Sequence, residues 1–261
     1  MRRYVRLIRI FVKNSVQLEL EYRLNFVFNI INSAVSFGAG FIVLFVMFAN
    51  AENIGGWSFT ETLVLYGVFL MMEAFIDVLM YPNLNRIPEY IRTGNMDFFL
   101  LKPVSAQFLA SFRYARVWRL PEGLLGFGVV LFGMARLGEL NAFNVTMTLL
   151  LTLSAFAMIY AIWFALTTTA FWFVKVENIS ELFFAFFTAG RFPVAAFPAW
   201  ARFFLTFIVP IAFITTVPAS AAVGRFTPQF AFGSLIIALI LLLGSHLIWR
   251  YAVANYTSAS S

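Results

Sequence analysis

Hydrophobic positions run through this chain in blocks too long and too continuous for a soluble core. Leu24 to Ala51 contains no charged side chain, and comparable apolar runs recur as far as Trp249. A bilayer crossing needs about 20 mostly apolar residues, and only helices or closed barrels satisfy their backbone hydrogen bonds inside hydrocarbon. The pattern therefore predicts an all-α membrane protein with six spans, near 24–49, 60–81, 120–138, 145–173, 179–197 and 228–250. Two segments depart from it. In residues 1–23, Arg2, Arg6, Arg9 and Lys13 fall on one helical face and Leu7, Ile8, Phe11 and Val12 on another, which predicts an amphipathic helix lying in the membrane interface rather than a cleaved signal. The apolar stretch 203–223 is broken by Pro210 and Pro218 and preceded by Pro193 and Pro198, so 198–224 is expected to be a re-entrant hairpin before the last span.

Composition narrows the class. The chain has 261 residues, 62% hydrophobic and 11% charged, where a soluble domain carries about 25% charge. Almost every residue is used in crossing, so residues 1–261 are expected to form a single transmembrane domain. The net charge of +6 lies at membrane edges, which favours orientation and anionic lipid over nucleic acid as its cause. With the N-terminus cytoplasmic, only Arg136, Arg191, Arg202 and Arg225 of the 18 basic residues fall outside, a bias that predicts an N-inside orientation. The bias would be the same if 203–223 crossed, and the prolines favour six spans with both termini inside. Cysteine is absent and His246 is the one histidine, so thiolate chemistry and a zinc site are not expected. There is no Gly-x-x-x-x-Gly-Lys-[Ser/Thr] phosphate loop; Gly123, Gly126, Gly128 and Gly133 sit within an apolar span, where glycine serves close helix packing.

Two polar features lie inside the spans. Glu73 and Asp77 are four residues apart on one helix face and could serve a cation or polar cargo, although pairing with arginine is the more ordinary use. Asn25, Asn29, Asn32, Ser36 and Gly40 form a polar, small-residue stripe that could line a translocation route or simply pack helices. The sizeable polar connection is 82–119. There Ile87, Tyr90 and Ile91 share one side of a short helix that Gly94 can end in a left-handed cap. Phe98 to Leu101 is too apolar for a free loop and too short to span. Rimmed by Arg92, Asp97 and Lys102, it should be covered by lipid or by a partner. Lys175, Glu177 and Glu181 mark a second turn on the same side.

The run from Ile91 to Ser105, with Arg92-Thr93-Gly94-Asn95-Met96-Asp97 followed by Phe98-Phe99-Leu100-Leu101-Lys102-Pro103, resembles a signature of ABC transporter permeases of the type-two exporter class. It is similar in particular to a bacterial subfamily with paired permeases and a separate ATPase. Pro193, Phe197-Pro198, the run Phe207 to Phe213 and Pro218-Ala219 are similar to that subfamily's second recurrent pattern. The resemblance implies a subunit of the bacterial inner membrane that moves an unidentified cargo; the phenylalanine-rich walls are compatible with a lipidic or amphipathic one and equally with lipid-facing surfaces. It implies a separate ATPase that binds ATP and Mg²⁺, and a sister permease in preference to a second copy of this chain. It also places ATPase docking on 82–119, with Arg86, Glu89, Arg92, Asp97 and Lys102 as polar contacts and Phe98 and Phe99 as apolar plugs. The competing readings are a channel or secondary transporter using Glu73 and Asp77, and a lipid-acting membrane enzyme, which would need converging acid–base residues that this chain hardly supplies.

Overall fold

The computed structural model describes residues 2–21, 23–173 and 177–256; Lys175 and the side chains of Asn25, Asn29 and Glu177 lie outside that description. Among the described residues the chain is helical without a strand. Its sole β-bridge, Ile54 to Trp57, closes a turn. In chain order the helices are α1 (Arg2–Glu21), α2 (Arg23–Ala49), α3 (Phe59–Phe75), α4 (Tyr81–Leu84), α5 (Ile87–Arg92), α6 (Asp97–Leu100) and α7 (Ala106–Phe112). There follow α8 (Leu120–Leu137), α9 (Ala142–Thr168), α10 (Glu177–Thr188), α11 (Ala199–Phe203), α12 (Val217–Ala222) and α13 (Pro228–Ala254).

Local chemistry sets the boundaries. α3 opens on a reciprocal cap: Ser58 Oγ accepts from Glu61 N–H, and Ser58 N–H donates to Glu61 Oε2 at 2.7 Å. Gly138, at φ 74°, ends α8 in the left-handed conformation. Past Phe75, α3 loosens into a wide turn over Ile76–Met80 and continues through Pro82 into α4.

Among the described residues five helices are long and apolar enough to cross a membrane, and a sixth if the bent pair Ala199–Ile208 and Ala212–Ala222 counts as one. The expected span at 179–197 is not a continuous helix. α10 has 12 residues and gives way to short 3₁₀ turns at Ala189–Arg191 and Val194–Ala196, separated by Pro193, which cannot continue a helix. The segment nevertheless climbs alongside α3. Phe184 meets Trp163, which meets Tyr81; higher up, Phe187 stacks on Phe69 at 4.9 Å, and Ala195–Ala196 presses on Gly55 in the turn ahead of α3.

The two arms of the proline-broken segment are bent by 78°. Both of its ends reach the same turn. Ala195 and Ala196 abut Gly55, whose added Cβ would sit 2.6 Å from a backbone nitrogen, and Arg225 donates to the Gly56 carbonyl at 2.9 Å. The two flanks of the segment thus meet at the one turn ahead of α3.

The core is centred on α3, packed most closely against α8, while α9 packs on α13. Glycines permit the first contact: a Cβ on Gly126 would lie 2.6 Å from the Gly67 carbonyl and 3.0 Å from Leu70 Cβ, and one on Gly133 would strike Val64. In the second, the buried hydroxyls of Ser154 and Ser234 meet at 2.8 Å. Trp163, Phe164, Phe69 and Met72 fill the middle.

The first helix docks along a strip that shares Phe11 with the apolar side the charge pattern marks. Tyr4 and Phe11 lie on Phe108, Ser15 Oγ accepts from Ala115 N–H at 3.0 Å, and Glu19 Oε1 accepts from Val117 N–H at 2.9 Å. Ile8 and Val12, expected on the apolar side, stay exposed.

Candidate functional site

The connection 82–119 is no loop but an elbow of short helices with its own buried contacts. Asn83 anchors it. Its Nδ2 donates to the carbonyls of Leu79 (2.6 Å) and Tyr114 (2.7 Å), and its Oδ1 accepts from Tyr114 N–H at 2.9 Å. Arg116 N–H adds a bond to the Val78 carbonyl at 2.9 Å. The loosened turn over Ile76–Met80 is thus where the elbow is fastened to the long helix. Burial pushes the Glu19 carboxyl above the ordinary carboxylate range, opposed by the amide N–H groups of Val117 and Trp118 and by Arg116.

Gly94, at φ 72°, ends α5 as the sequence predicts, and Met96 N–H returns to the Tyr90 carbonyl at 2.9 Å. This folds α6 back on α5 and separates neighbours that the sequence treated alike. Phe99 is 4% exposed, its ring tilted against Tyr90 with centroids 4.8 Å apart and covered by the cations of Lys102 and Arg113, so in this structure it packs within the elbow rather than projecting from it. Phe98 is 64% exposed, and Leu101, part of the expected apolar patch but not among the expected ATPase contacts, is 80% exposed. Helical spacing from Phe98 to Leu101 was the available signal. Arg86, Glu89, Arg92 and Lys102 are exposed around this pair, Arg86 lying over the Tyr114 ring at 4.3 Å, while Asp97 is half-buried and interacts with neighbours.

A ladder of charges rises from the elbow along α3. Arg119, at the elbow's last turn, places Nε 3.0 Å from Asp77 Oδ2 and Nη1 2.6 Å from the buried Glu122, and its Nη1 also donates to Ser33 Oγ on α2 at 3.3 Å. One guanidinium thereby joins α2, α3 and α8. One turn along α3, Glu73 pairs with Arg191 at 3.5 Å. Both acidic residues singled out in the sequence have arginine partners, and neither partner was identified beforehand. Arg191 borders a cavity of about 370 Å³ between α2 and α3, lined also by Ser36, Gly40, Tyr66 and Phe192. Of the small-residue stripe, Ser36 and Gly40 line this cavity and Asn32 is exposed. His246 Nδ1 lies 2.8 Å from Gln107 Oε1, a polar tie between α13 and α7. Among the described residues no group of three acidic or histidine side chains is placed to hold a metal ion.

Several apolar helices with arginine-paired acids within them mark a multi-pass membrane protein. A family model described as ABC-2 family transporter protein matches residues 34–260, and the chain belongs to that family. The matched region begins within α2 and includes the elbow, the ladder and the hairpin. No curated protein matches the chain.

Proposed function

We propose that this chain is the membrane-spanning half of an ATP-driven exporter, worked by a separate ATPase that binds ATP and Mg²⁺ and paired with a sister permease. The observation that carries the coupling is the elbow: Phe98 and Leu101 project from a tip whose base is bonded through Asn83 and Arg119 to α3 and α8. An apolar pair ringed by Arg86, Glu89, Arg92 and Lys102 fits a protein surface better than bulk water. A push on such a tip is carried into the bundle by rigid packing, and nucleotide state would select between two arrangements of it.

The orientation follows from this. The elbow end is cytoplasmic and the hairpin end external, the chain crosses the bacterial inner membrane six times with both termini inside, and α1 lies in the interface. The climb of 177–198 alongside α3 supports the fifth crossing, which α10 alone, about 18 Å long, would not complete. The cation-rich elbow agrees with a cytoplasmic location. The cargo route follows the cavity beside Arg191, where Asn32 and Ser36 face outward from α2 toward a second permease. The cargo is lipidic or amphipathic.

Replacing both Phe98 and Leu101 by serine should leave the chain folded, since both are exposed, and should abolish ATP-dependent transport by the reconstituted complex. Transport and coupled ATP hydrolysis at the unaltered rate would refute this docking surface.

A further inference from the structure

The proline-broken segment borders an open cavity of about 550 Å³, in the size range of small-ligand sites. Its walls come from both arms and the start of α13, with Phe203 and Phe207 on one side and Phe213 and Phe230 on the other. Two arginines border it, and they differ. Arg225 is neutralised: its Nη2 lies 2.8 Å from Glu61 Oε1, and its guanidinium sits over Trp57. Arg202 bonds only to backbone, its Nη2 donating to the carbonyls of Ala195 (3.1 Å) and Phe197 (3.4 Å); among the described residues no carboxylate lies within ion-pair distance of it. A guanidinium has five N–H donors, so several remain for an anion.

A cation without a counter-charge at the rim of a phenylalanine-walled cavity calls for a ligand with two ends. The geometry points to a binding site for an anionic phospholipid of the surrounding leaflet, its phosphate on Arg202 and one acyl chain between the phenylalanines of the two arms. The surroundings fit such an occupant. Trp200 is 76% exposed and Phe203, Phe207 and Ile208 project from the same arm, the mixture of indole, guanidinium and apolar side chains that settles at a headgroup boundary. A phosphate would receive charge-assisted, forked hydrogen bonds from Arg202, and a zwitterionic lipid would bring its own cation against it. Lipid held here would brace the two arms, which Pro210 leaves without a continuous helix between them. The inference rests on the membrane placement proposed above but not on ATPase coupling.

Native mass spectrometry of the full chain, released from vesicles of mixed phosphatidylglycerol and phosphatidylcholine with identical acyl chains, tests it. The unaltered chain should retain phosphatidylglycerol in preference. Arg202→Gln should lower that preference about tenfold, the scale of losing one charged hydrogen-bonding partner, while Arg202→Lys restores much of it. Ser220→Trp, which fills the cavity and keeps the charge, should also release the lipid. Arg136→Gln, an exposed arginine at the same end, should change nothing. Full retention by Arg202→Gln or by Ser220→Trp overturns the assignment. So does displacement of the lipid by glycerol phosphate alone, which would mark a simple anion site. A lipid-free dimer cross-linked through Phe207→Cys would give the cavity to a second copy and likewise overturn it. Lipid retention is read without ATP, so a failure of the elbow test leaves this result standing.

Discussion

Arg119 shows how one side chain binds distant parts of this chain. Its guanidinium reaches Asp77 on the wide turn that continues α3, Glu122 on α8 and Ser33 on α2, and only a planar fork with several donors serves three partners in different directions. Removing it leaves two carboxylates facing each other across a largely buried gap, and breaking a buried pair in this way costs about 3–5 kcal/mol. Arg119→Ala should therefore lower the thermal unfolding temperature of the detergent-solubilised chain clearly. Arg119→Lys should recover only part of the loss, because a point charge cannot meet both acids and the serine. Asp77→Asn together with Glu122→Gln in the Arg119→Ala background should restore stability, since no unpaired charge is then left behind; failure of that rescue would mean that Arg119 acts by packing. The sequence made Asp77 and Glu73 visible because charge inside an apolar run is costly. It did not show their partners, since Arg119 and Arg191 are separated from them by long stretches of chain and only the folded bundle brings them together.

Among elements, the contact of α3 with α8 turns on which glycines face inward. Gly126 has its neighbours within 2.6–3.1 Å of where a Cβ would be, two of them backbone atoms of α3, whereas Gly128, two residues on, has open space. Gly126→Ala should therefore destabilise the bundle by about 1–3 kcal/mol, the usual cost of overpacking a close contact. Gly128→Ala should be neutral or stabilise by up to about 1 kcal/mol, because alanine is the better helix former. Opposite signs in thermal unfolding are the expected result, and equal effects would contradict this packing. Helices of this kind were legible from the apolar runs, and so were the Gly94 cap and the break at Pro210, where a single residue dictates backbone geometry. The tertiary environment of neighbours was not. Phe98 and Phe99 look alike in the sequence, yet the fold-back after Gly94 buries one and exposes the other, and the docked strip of α1 runs through Tyr4, Phe11, Ser15 and Glu19 instead of through its most apolar residues. The interruption at 189–198 was signalled by Pro193 and Pro198, but the composition around them stays as apolar as a span, so hydropathy extended a helix where the backbone turns.

For the whole molecule the decisive matter is sidedness, and the hairpin ties it to a measurable pattern. Because the turn at Gly55–Gly56 touches both Ala195–Ala196 and Arg225, the proposed re-entrant path predicts that residues on either flank of the broken segment share one side of the membrane. The elbow and the end of α13 belong to the other end of the bundle, where Trp249 packs on Phe171 and His246 meets Gln107. The chain has no cysteine of its own, so single cysteines can be introduced without a background. In intact cells a membrane-impermeant maleimide should label Trp200→Cys and Thr227→Cys, both at exposed positions, while Asn95→Cys and Asn255→Cys react only after permeabilisation. If 199–222 instead crossed the bilayer, Trp200→Cys and Thr227→Cys would respond oppositely, and Asn255→Cys would move to the same side as Trp200→Cys. A result of that kind would add a crossing and carry the C-terminal end of α13 outside. It would also remove the lipid cavity from the leaflet assigned to it, although the elbow and its ladder of paired charges would stay as they are.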